Sequence, residues 1–215
     1  MKIYKNTVSE SLWEVLLRLM TFEELASFRL IGGTSLSLML GHRISVDIDL
    51  FTDAEYGSID FEILDQKIRS SFQYVEHGSG GNRSMGKSYY IGNNQSDLVK
   101  LDLFYTDPFV FPIVEYHGIR LSRLEEIIAM KLEVIGHSGR KKDFWDLHEL
   151  MDIFSWPEMF EFYKKRYPYN YSKEEIKTKL TDFEKADRDF DPICLKNKYW
   201  ELIKLDIAES IQNSI

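Results

Sequence analysis

The chain has few of the residues that cross-link or interrupt a polypeptide. Among its 215 residues there is one cysteine, Cys194, and there are five prolines. A single cysteine excludes an intramolecular disulfide, which fits a protein of the reducing cytoplasm. No apolar run approaches about 18 residues, and residues 1–11 contain no apolar signal core. The sequence therefore predicts a cytoplasmic protein with no membrane span and no secretory signal.

Positive charge is also scarce. The chain has 27 Lys and Arg residues against 35 Asp and Glu residues, a formal net charge of -8 and a pI near 5.2. An acidic chain does not attract nucleic acid through its overall field, so RNA contacts would need a local basic patch. Two candidates are residues 139–142 (Gly-Arg-Lys-Lys) and residues 164–166 (Lys-Lys-Arg). A solvated loop and a solvated helix face are the alternative explanation of these runs.

Apolar sequence, in contrast, is sufficient for a core. The hydrophobic fraction is 44%, and the length favours one domain, with or without an appended subdomain. Apolar periodicity predicts helices over 12–28 (as one or two), 34–40 and 59–72, strands over 28–31, 44–51 and 98–105, and a hairpin within 77–97 around a strand at 88–91. From residue 121 onward the pattern is almost entirely helical. We predict an α+β (α/β) fold, with a mixed sheet and packed helices in 1–120 and a mainly helical region in 121–215.

One predicted strand alternates between apolar and polar residues. Side chains of a strand point to opposite faces in turn, so Ile44, Val46, Ile48 and Leu50 share one face and Arg43, Ser45, Asp47 and Asp49 share the other. Aspartate is depleted in strands, and two carboxylates two residues apart repel each other. A divalent cation with oxygen ligands, such as Mg²⁺, makes that arrangement favourable. A half-exposed strand with its polar face in water is the alternative.

A second alternating strand, 98–105, carries Lys100 and Asp102 on one face. If it pairs beside the first strand, Asp102 becomes a third carboxylate near Asp47 and Asp49, and such clusters hold metal ions that neutralise a leaving pyrophosphate. The alternative, to which we give equal weight, is a surface aspartate balanced by Lys100.

A glycine pair, Gly32-Gly33, lies between a predicted strand and a predicted helix start. Glycine lets the backbone approach a ligand closely, and the free N–H groups of a helix N-terminus favour phosphate. Thr34 or Ser35 would then cap the helix or contact a phosphate. A tight turn is the alternative for an isolated glycine pair, but the two aspartates that follow make a phosphate site the more specific interpretation.

Two helices in the second half carry charges in unexpected places. Sequences resembling capping boxes, at 122–125 and also at 21–24, predict helix starts. In the helix that begins near 123, Lys131 lies on the apolar stripe, either as a snorkelling side chain or as a cation aimed into a site. In the next helix, Asp143 shares a face with apolar residues, where it could simply cap the helix, and Asp146 lies at the edge of that face.

Four blocks of this sequence together resemble the AbiEii/AbiGii toxin family of nucleotidyltransferases, within the DNA polymerase β-like superfamily. The blocks are GGT at 32–34, HRxSxDIDLF at 42–51, MKLE at 130–133 and KDxxDL at 142–147, and the similarity spans roughly residues 30–152. The resemblance implies a nucleotidyltransferase-type sheet and a bacterial toxin that transfers a nucleotide from an NTP, with tRNA as the acceptor in some members. It also implies a cognate antitoxin.

The resemblance assigns roles to individual residues. Gly32, Gly33 and Thr34 would form the phosphate loop, with Ser45 and Lys142 also contacting the nucleotide. Asp47 and Asp49 would bind Mg²⁺ or Mn²⁺, with Asp102 added from strand parity, and Lys131 would bind the nucleotide. Asp143 or Asp146 would act as a base or orient the acceptor. Residues 155–215 match no known pattern.

Two other functions stay open from the sequence. One is a nucleotidyltransferase that modifies a protein or a small molecule, and the other is a catalytically silent member that acts by binding a partner. The intact aspartates and Lys131 argue against silence, whereas the acidic pI argues weakly against a large RNA footprint. The sequence does not identify the NTP, the acceptor or the oligomeric state.

Overall fold

The structure is a computed structural model that describes residues 2–79 and 85–213. Its helices are α1 Glu10–Leu19, α2 Gly32–Leu40, α3 Phe61–Ser71, α4 Leu124–Ser138, α5 Lys141–Leu150, α6 Trp156–Arg166, α7 Lys173–Leu180, α8 Glu184–Asp187 and α9 Trp200–Gln212. Its strands are β1 Arg29–Leu30, β2 Asp47–Thr52, β3 Tyr74–Ser79, β4 Gly86–Gly92, β5 Val99–Tyr105, β6 Val114–Tyr116 and β7 Ile119–Leu121.

The seven strands form one mixed sheet in the order β3-β4-β5-β2-β1-β7-β6. Two pairs, β2 with β5 and β1 with β7, are parallel, and the other neighbours are antiparallel. Parallel neighbours need crossover connections, and helices supply them here. The predicted α+β class, a mixed sheet with packed helices followed by a mainly helical region, is confirmed.

The two central strands place their polar side chains on a single face of the sheet. In β2 and β5, Asp49 lies opposite Asp102, and Asp47 lies opposite Lys100. The alternate residues of both strands are fully buried and pack with α1 and α3 in one hydrophobic cluster; they include Ile48, Leu50, Leu101 and Leu103. Burial of that apolar face fixes the register, because a slip of one residue would expose it. The opposite face is therefore free to carry a site.

A second hydrophobic cluster fills the helical region. It joins α4, α5, α6, α7 and α9 and contains buried aromatic residues such as Trp145 and Trp200. One residue of the first half, Leu36 of α2, belongs to this cluster. The helix that follows the glycine pair is thus packed between the sheet and the helical region. A division into units at residue 120 stays a prediction.

The start of the aspartate strand was predicted too early. We expected a strand from Ile44, but β2 begins at Asp47, and Val46 is 65% exposed instead of sharing the buried face. Residues 42–45 run beside a later segment, with Ile44 N–H donating to Ile193 O at 2.9 Å and Leu195 N–H donating to His42 O at 2.8 Å. This local pairing turns the chain before it enters the sheet.

Both predicted capping boxes are wrong. The hydroxyl of Thr21 donates to the carbonyl of Arg18, and the one-turn 3₁₀ helix Glu23–Leu25 has no side-chain cap. Ser122 is fully buried and does not cap α4, because Glu125 is paired with Arg123 instead. The long helix predicted over 12–28 is α1 followed by that 3₁₀ turn.

A hairpin before α4 was not predicted. β6 and β7 are joined by His117 and Gly118, both with positive φ, which is the geometry of a two-residue hairpin turn. The predicted hairpin within 77–97 is present as β3 and β4. β4 is longer than the predicted strand at 88–91, β3 begins before residue 77, and residues 80–84 lie outside the described residues. Among the residues that the structure describes, no helix is long and apolar enough to cross a membrane.

Candidate active site

A cleft of about 200 Å³ brings together residues from all four sequence blocks. It opens between the start of α2, the polar face of β2 and the facing sides of α4 and α5. One part of its lining is polar or charged and consists of Gly32, Gly33, Asp49, Lys131, Arg140, Lys142 and Asp143. The other part is apolar and consists of Ile31, Phe51, Ile127, Met130 and Val134. The cleft therefore offers separate surfaces to a charged group and to an apolar group.

The glycine pair forms the first turn of α2 at the edge of this cleft. The helix begins at Gly32, earlier than the predicted Thr34, and the preceding Ile31 supplies no side-chain cap. Gly32 has a φ of +65°, and a Cβ there would lie 2.9 Å from Asp49 Oδ2. A Cβ at Gly33 would collide with the guanidinium of Arg43. Glycine is thus required by neighbouring side chains of the protein, and the uncapped helix N-terminus remains available to an anion.

Two predicted nucleotide contacts are buried beneath that turn. Thr34 is 1% exposed, and its hydroxyl lies 2.8 Å from Ser45 Oγ and also donates to the carbonyl of Asp47. Ser45 is 8% exposed. Their hydrogen bonds hold α2 against the chain that enters β2. Contact of either side chain with a nucleotide stays a prediction.

Three carboxylates lie together on the polar face of the sheet. Burial, reinforced by the negative charges of Asp102 and Asp47, raises the pKa of Asp49 to about 6. Asp102 is satisfied within the protein, since Ser88 Oγ donates to Oδ1 at 2.6 Å and the ammonium of Lys100 pairs with Oδ2. Asp102 thus stands beside Asp49 and is also balanced by Lys100, and its role as a metal ligand stays a prediction.

The donor set fits a divalent cation through two carboxylates. Within residues 2–79 and 85–213, no group of three or more His, Cys, Asp or Glu side chains is arranged to hold a metal ion. Asp102 is engaged elsewhere, whereas Asp47 and Asp49 retain oxygen atoms and surplus negative charge. The nearest cation to Asp47 is Lys142, whose Nζ lies 3.9 Å from Oδ2. Two carboxylates with remaining positions for water and phosphate suit Mg²⁺, whereas a complete protein cage does not form.

Across the cleft, Lys131 is buried between two aspartates. Its Nζ lies 2.6 Å from Asp143 Oδ1 and 2.6 Å from Asp146 Oδ2, and the residue is 6% exposed. The side chain therefore does not snorkel to water. Asp143 also accepts the main-chain N–H of Arg140 at 3.0 Å, so it caps α5 as well. Despite burial, the positive charge of Lys131 holds the pKa of Asp143 below its ordinary value.

Asp146 is the most enclosed member of this group. Arg43 binds it with two nitrogen atoms, Nε at 2.6 Å and Nη2 at 2.9 Å, and His42 Nε2 lies 2.8 Å away. Asp146 is fully buried, but the charges of Lys131 and Arg43 hold its pKa well below its ordinary value. His42 and Arg43 thus both contact Asp146 inside the fold.

One residue of each predicted basic patch is used inside the fold. Lys141 is 6% exposed and pairs with Asp191 at 2.8 Å. Arg166 is buried against Glu126 and ties α6 to α4. From the first run, Lys142 lines the cleft and the side chain of Arg140 is 58% exposed. Burial, together with the nearby charges of Arg140 and Lys131, lowers the pKa of Lys142.

Several polar or aromatic residues lie outside the cleft. Phe144 and Trp145 are core residues, and His148 pairs with Asp206 at 2.8 Å on the surface of the helical region. Cys194 is a free cysteine that pairs with Arg43 through a single β-bridge.

Sequence reasoning missed the partners of Asp146. Arg43 was placed on the polar face of the predicted strand, beside Asp47 and Asp49, so neither it nor its neighbour His42 was expected to reach α5. No local signal could have found this contact, since it depends on how α2, α5 and residues 190–195 pack. The β6–β7 hairpin, in contrast, had a signal, because His117-Gly118 stands between two alternating triplets.

Comparison with known proteins identifies the same family as the sequence motifs that line the cleft. The family model described as "Nucleotidyl transferase AbiEii toxin, Type IV TA system" matches residues 14–208. A protein of Aquifex aeolicus (strain VF5), named "Uncharacterized protein aq_aa25", is 29% identical over 205 residues, which cover 86% of this chain and 89% of that protein.

Solved structures share the fold at low sequence identity. JHP933 from Helicobacter pylori aligns with a TM-score of 0.59 and 18% identity, covering 94% of this chain and 89% of its own. MenT4, a nucleotidyltransferase toxin from Mycobacterium tuberculosis H37Rv, aligns with a TM-score of 0.53 and 13% identity, covering 92% and 80%. Because the family model spans nearly the whole chain and the four motif blocks converge on one cleft, this protein belongs to the AbiEii family of toxins and is a nucleotidyltransferase.

Proposed function

We propose that this enzyme transfers a nucleotide from an NTP to a hydroxyl group of RNA, with tRNA as the acceptor, and that it acts in the cytoplasm as a toxin restrained by a cognate antitoxin. The observation that carries the proposal is the cleft itself. An uncapped helix N-terminus, the carboxylate of Asp49 and the ammonium of Lys142 line one cavity, and the carboxylate of Asp47 lies 3.9 Å from Lys142 Nζ. These groups have the chemistry that binds a triphosphate and its cation.

Each part of the cleft has a role in this reaction. Asp47 and Asp49 would hold Mg²⁺ or Mn²⁺, which when bound neutralises charge on the phosphoryl oxygens. The N–H groups at Gly32 and Gly33 bind phosphate oxygens, and Lys142 stabilises the pyrophosphate as it leaves. The apolar lining, which includes Phe51 and Met130, receives the base and ribose. An acceptor hydroxyl, whose proton passes to water, then attacks the α-phosphate in line as the bond to pyrophosphate breaks. Positioning supplies much of the rate.

Asp143 and Asp146 act by positioning rather than as bases. Their carboxylates have pKa values below the ordinary range and are paired with buried cations, so they are poor proton acceptors. They hold Lys131 and the start of α5 in place beside the cleft. This assignment favours orientation over the general-base role that the family resemblance left open.

An RNA acceptor is supported by a second groove beside the cleft. The groove, of about 390 Å³, begins at Gly139 next to Arg140 and carries Lys179, Lys185 and Arg188. Two acidic residues, Asp182 and Glu184, also line it, so its excess of positive charge is small. These three basic side chains provide local contacts for a phosphate backbone on an otherwise acidic protein.

A labelling experiment tests the proposal. Purified protein is incubated with Mg²⁺, total RNA and each of the four α-labelled NTPs, and the products are separated by size. We expect one or more NTPs to label a tRNA-sized band, EDTA to prevent labelling, and Asp47→Ala to abolish it. Glu55→Ala, which removes an exposed carboxylate just after β2, is the matched control and should leave labelling unchanged.

The possible failures of this experiment separate the parts of the proposal. Label on protein, or on a small molecule, would overturn RNA as the acceptor but not nucleotide transfer. Absence of NTP binding in calorimetry with Mg²⁺ present would overturn the proposed reaction. Restored growth on coexpression of a neighbouring gene, in cells that express the toxin, would identify the antitoxin.

A further inference from the structure

The first turn of α2 rests on a buried arginine. Arg43 is 3% exposed, and its guanidinium lies where a Cβ of Gly33 would be, with Ser45 Oγ also within 3.4 Å of that position. Any side chain at Gly33 would therefore have to displace the guanidinium. The backbone φ of Gly33 is not in the left-handed region, so conformation alone does not demand glycine there.

The same guanidinium reaches the opposite side of the cleft. It makes two hydrogen bonds to Asp146, and its Nη1 donates to Ile44 O at 3.0 Å. Asp146 in turn binds Lys131 of α4 at 2.6 Å. One buried chain of contacts thus links the glycine turn, the segment before β2 and the two helices that carry the cationic side of the cleft.

We propose that Arg43 is a positioning residue that fixes the glycine turn of α2 relative to α4 and α5, and that Gly33 is glycine because Arg43 occupies its side-chain position. The inference rests on the proposed function, in which N–H groups of that turn and Lys142 bind the same triphosphate. If the turn shifts away from α5, the N–H groups of the turn and the ammonium of Lys142 no longer have the separation needed to bind the same triphosphate. Arg43 itself does not line the cleft, so it acts through the turn.

The shape of arginine is part of this role. A planar guanidinium can bind a carboxylate with two nitrogens while its face or edge packs against backbone, which a lysine ammonium cannot do. Arg43→Lys keeps the positive charge that Asp146 requires but loses the second nitrogen beside Gly33. This substitution therefore separates the geometric role from the charge.

A double-mutant cycle tests the inference. The variants are Gly33→Ala, Arg43→Lys and the double variant, each as the full chain, and NTP affinity is measured by calorimetry with Mg²⁺ and no acceptor. We expect each single variant to weaken NTP binding about tenfold or more. We expect the double variant to bind no worse than Gly33→Ala alone, because the alanine methyl group then meets a smaller side chain.

Two controls match these substitutions at other sites. Gly57→Ala adds a methyl group in open space, but at a φ of +87° that strains alanine, so it is a control for NTP affinity and not for stability. Arg123→Lys alters an exposed arginine that binds Glu125 at 2.7 Å. Neither should change NTP affinity. Urea unfolding of every variant shows independently whether Gly33 and Arg43 are coupled in the folded protein without nucleotide.

The outcomes are decisive. If the double variant loses NTP affinity by the product of the two single-variant factors, the two residues act independently. That result would overturn the proposed coupling. Coupling in urea unfolding with unchanged NTP affinity would show a purely structural contact and overturn the positioning role. If the wild-type protein binds no NTP, both this inference and the proposed function fail, whereas wild-type binding with an additive cycle refutes the inference alone.

Discussion

Two groups of charged residues face each other across the cleft, and they are built in opposite ways. On the sheet, Asp47 and Asp49 are half-buried carboxylates with too little positive charge around them, and the pKa of Asp49 is raised to about 6. On the helices, Lys131 and two aspartates are almost fully buried with complete partners, and the pKa values of both aspartates are lowered.

The difference distinguishes a group that awaits a ligand from one that is already complete. A raised carboxylate pKa means that the folded protein disfavours the charge until a cation arrives. A lowered pKa means that the protein supplies the cation itself. The acidic residues of a single set of family motifs thus stand in two different electrostatic environments, a difference that their sequence spacing does not show.

The largest expected effect on stability comes from removing an aspartate from the buried group formed by Lys131, Asp143 and Asp146. Asp146→Ala would leave Arg43 and Lys131 buried with one partner fewer, and we expect a loss of about 3–5 kcal/mol in the free energy of unfolding. Because the pKa of Asp146 is depressed on folding, this contribution is present at neutral pH and disappears as pH falls below the ordinary value of 3.8. Urea denaturation at pH 7 measures it.

A surface aspartate provides the comparison for that variant. The side chain of Asp152 is 71% exposed and lies 3.6 Å from Lys198 Nζ, so Asp152→Ala should change stability by about 0.5 kcal/mol or less. Equal effects of the two substitutions would contradict the view that the helical group is a buried structural unit.

On the sheet, we expect a substitution of Asp49 to increase the free energy of unfolding, by less than Asp146→Ala decreases it. The pKa of Asp49 rises from 3.8 in an ordinary aspartate to about 6 in the folded protein, so ionisation of Asp49 destabilises the fold as pH increases through that interval. Asp49→Asn should therefore raise the free energy of unfolding by about 1–3 kcal/mol at pH 7.5 without metal. At pH 3.5 the variant and wild type should be nearly equal.

Added cation sharpens this prediction. Mg²⁺ should stabilise the wild-type protein at pH 7.5 more than it stabilises Asp49→Asn, as seen in thermal unfolding with and without EDTA. A variant that is less stable than wild type at pH 7.5 would show that Asp49 is charged and satisfied by the protein alone.

The smallest effect on stability is expected at the rim between the two groups. Lys142 pairs only loosely with Asp47, and Lys142→Ala should change the free energy of unfolding by about 0.5 kcal/mol or less. NTP affinity should nevertheless fall about tenfold, or about 1.4 kcal/mol, because a phosphate contact is lost. Calorimetry measures this loss, and Lys164→Ala, at an exposed lysine of α6, should leave the affinity unchanged.

The sequence was most informative where a short-range pattern decides the structure. Alternation in 47–52 and 99–105 correctly predicted which side chains share a face, because a strand has a fixed period of two residues. The apolar stripe around Lys131 correctly predicted that this lysine points inward. The fold class followed from such patterns together with the family resemblance.

The errors arose where other contacts, both local and distant in sequence, override the preferred pattern. At 122–125, Glu125 pairs with Arg123 and does not complete the predicted capping box. The strand predicted before Asp47 is replaced by pairing with residues 193–195. The contacts of Asp146 depend on three elements that are distant in sequence. The roles of the individual site residues, and of Asp102 as a metal ligand in particular, stay predictions.

The parallel pairing of β1 with β7 has a consequence for synthesis of the protein. β7 lies at residues 119–121, and the cationic side of the cleft follows it in α4 and α5. A nascent chain on the ribosome therefore carries both aspartates of β2 long before it can complete the sheet or close the cleft around them. The candidate cleft therefore cannot form until the chain up to the end of α5, at Leu150, has emerged.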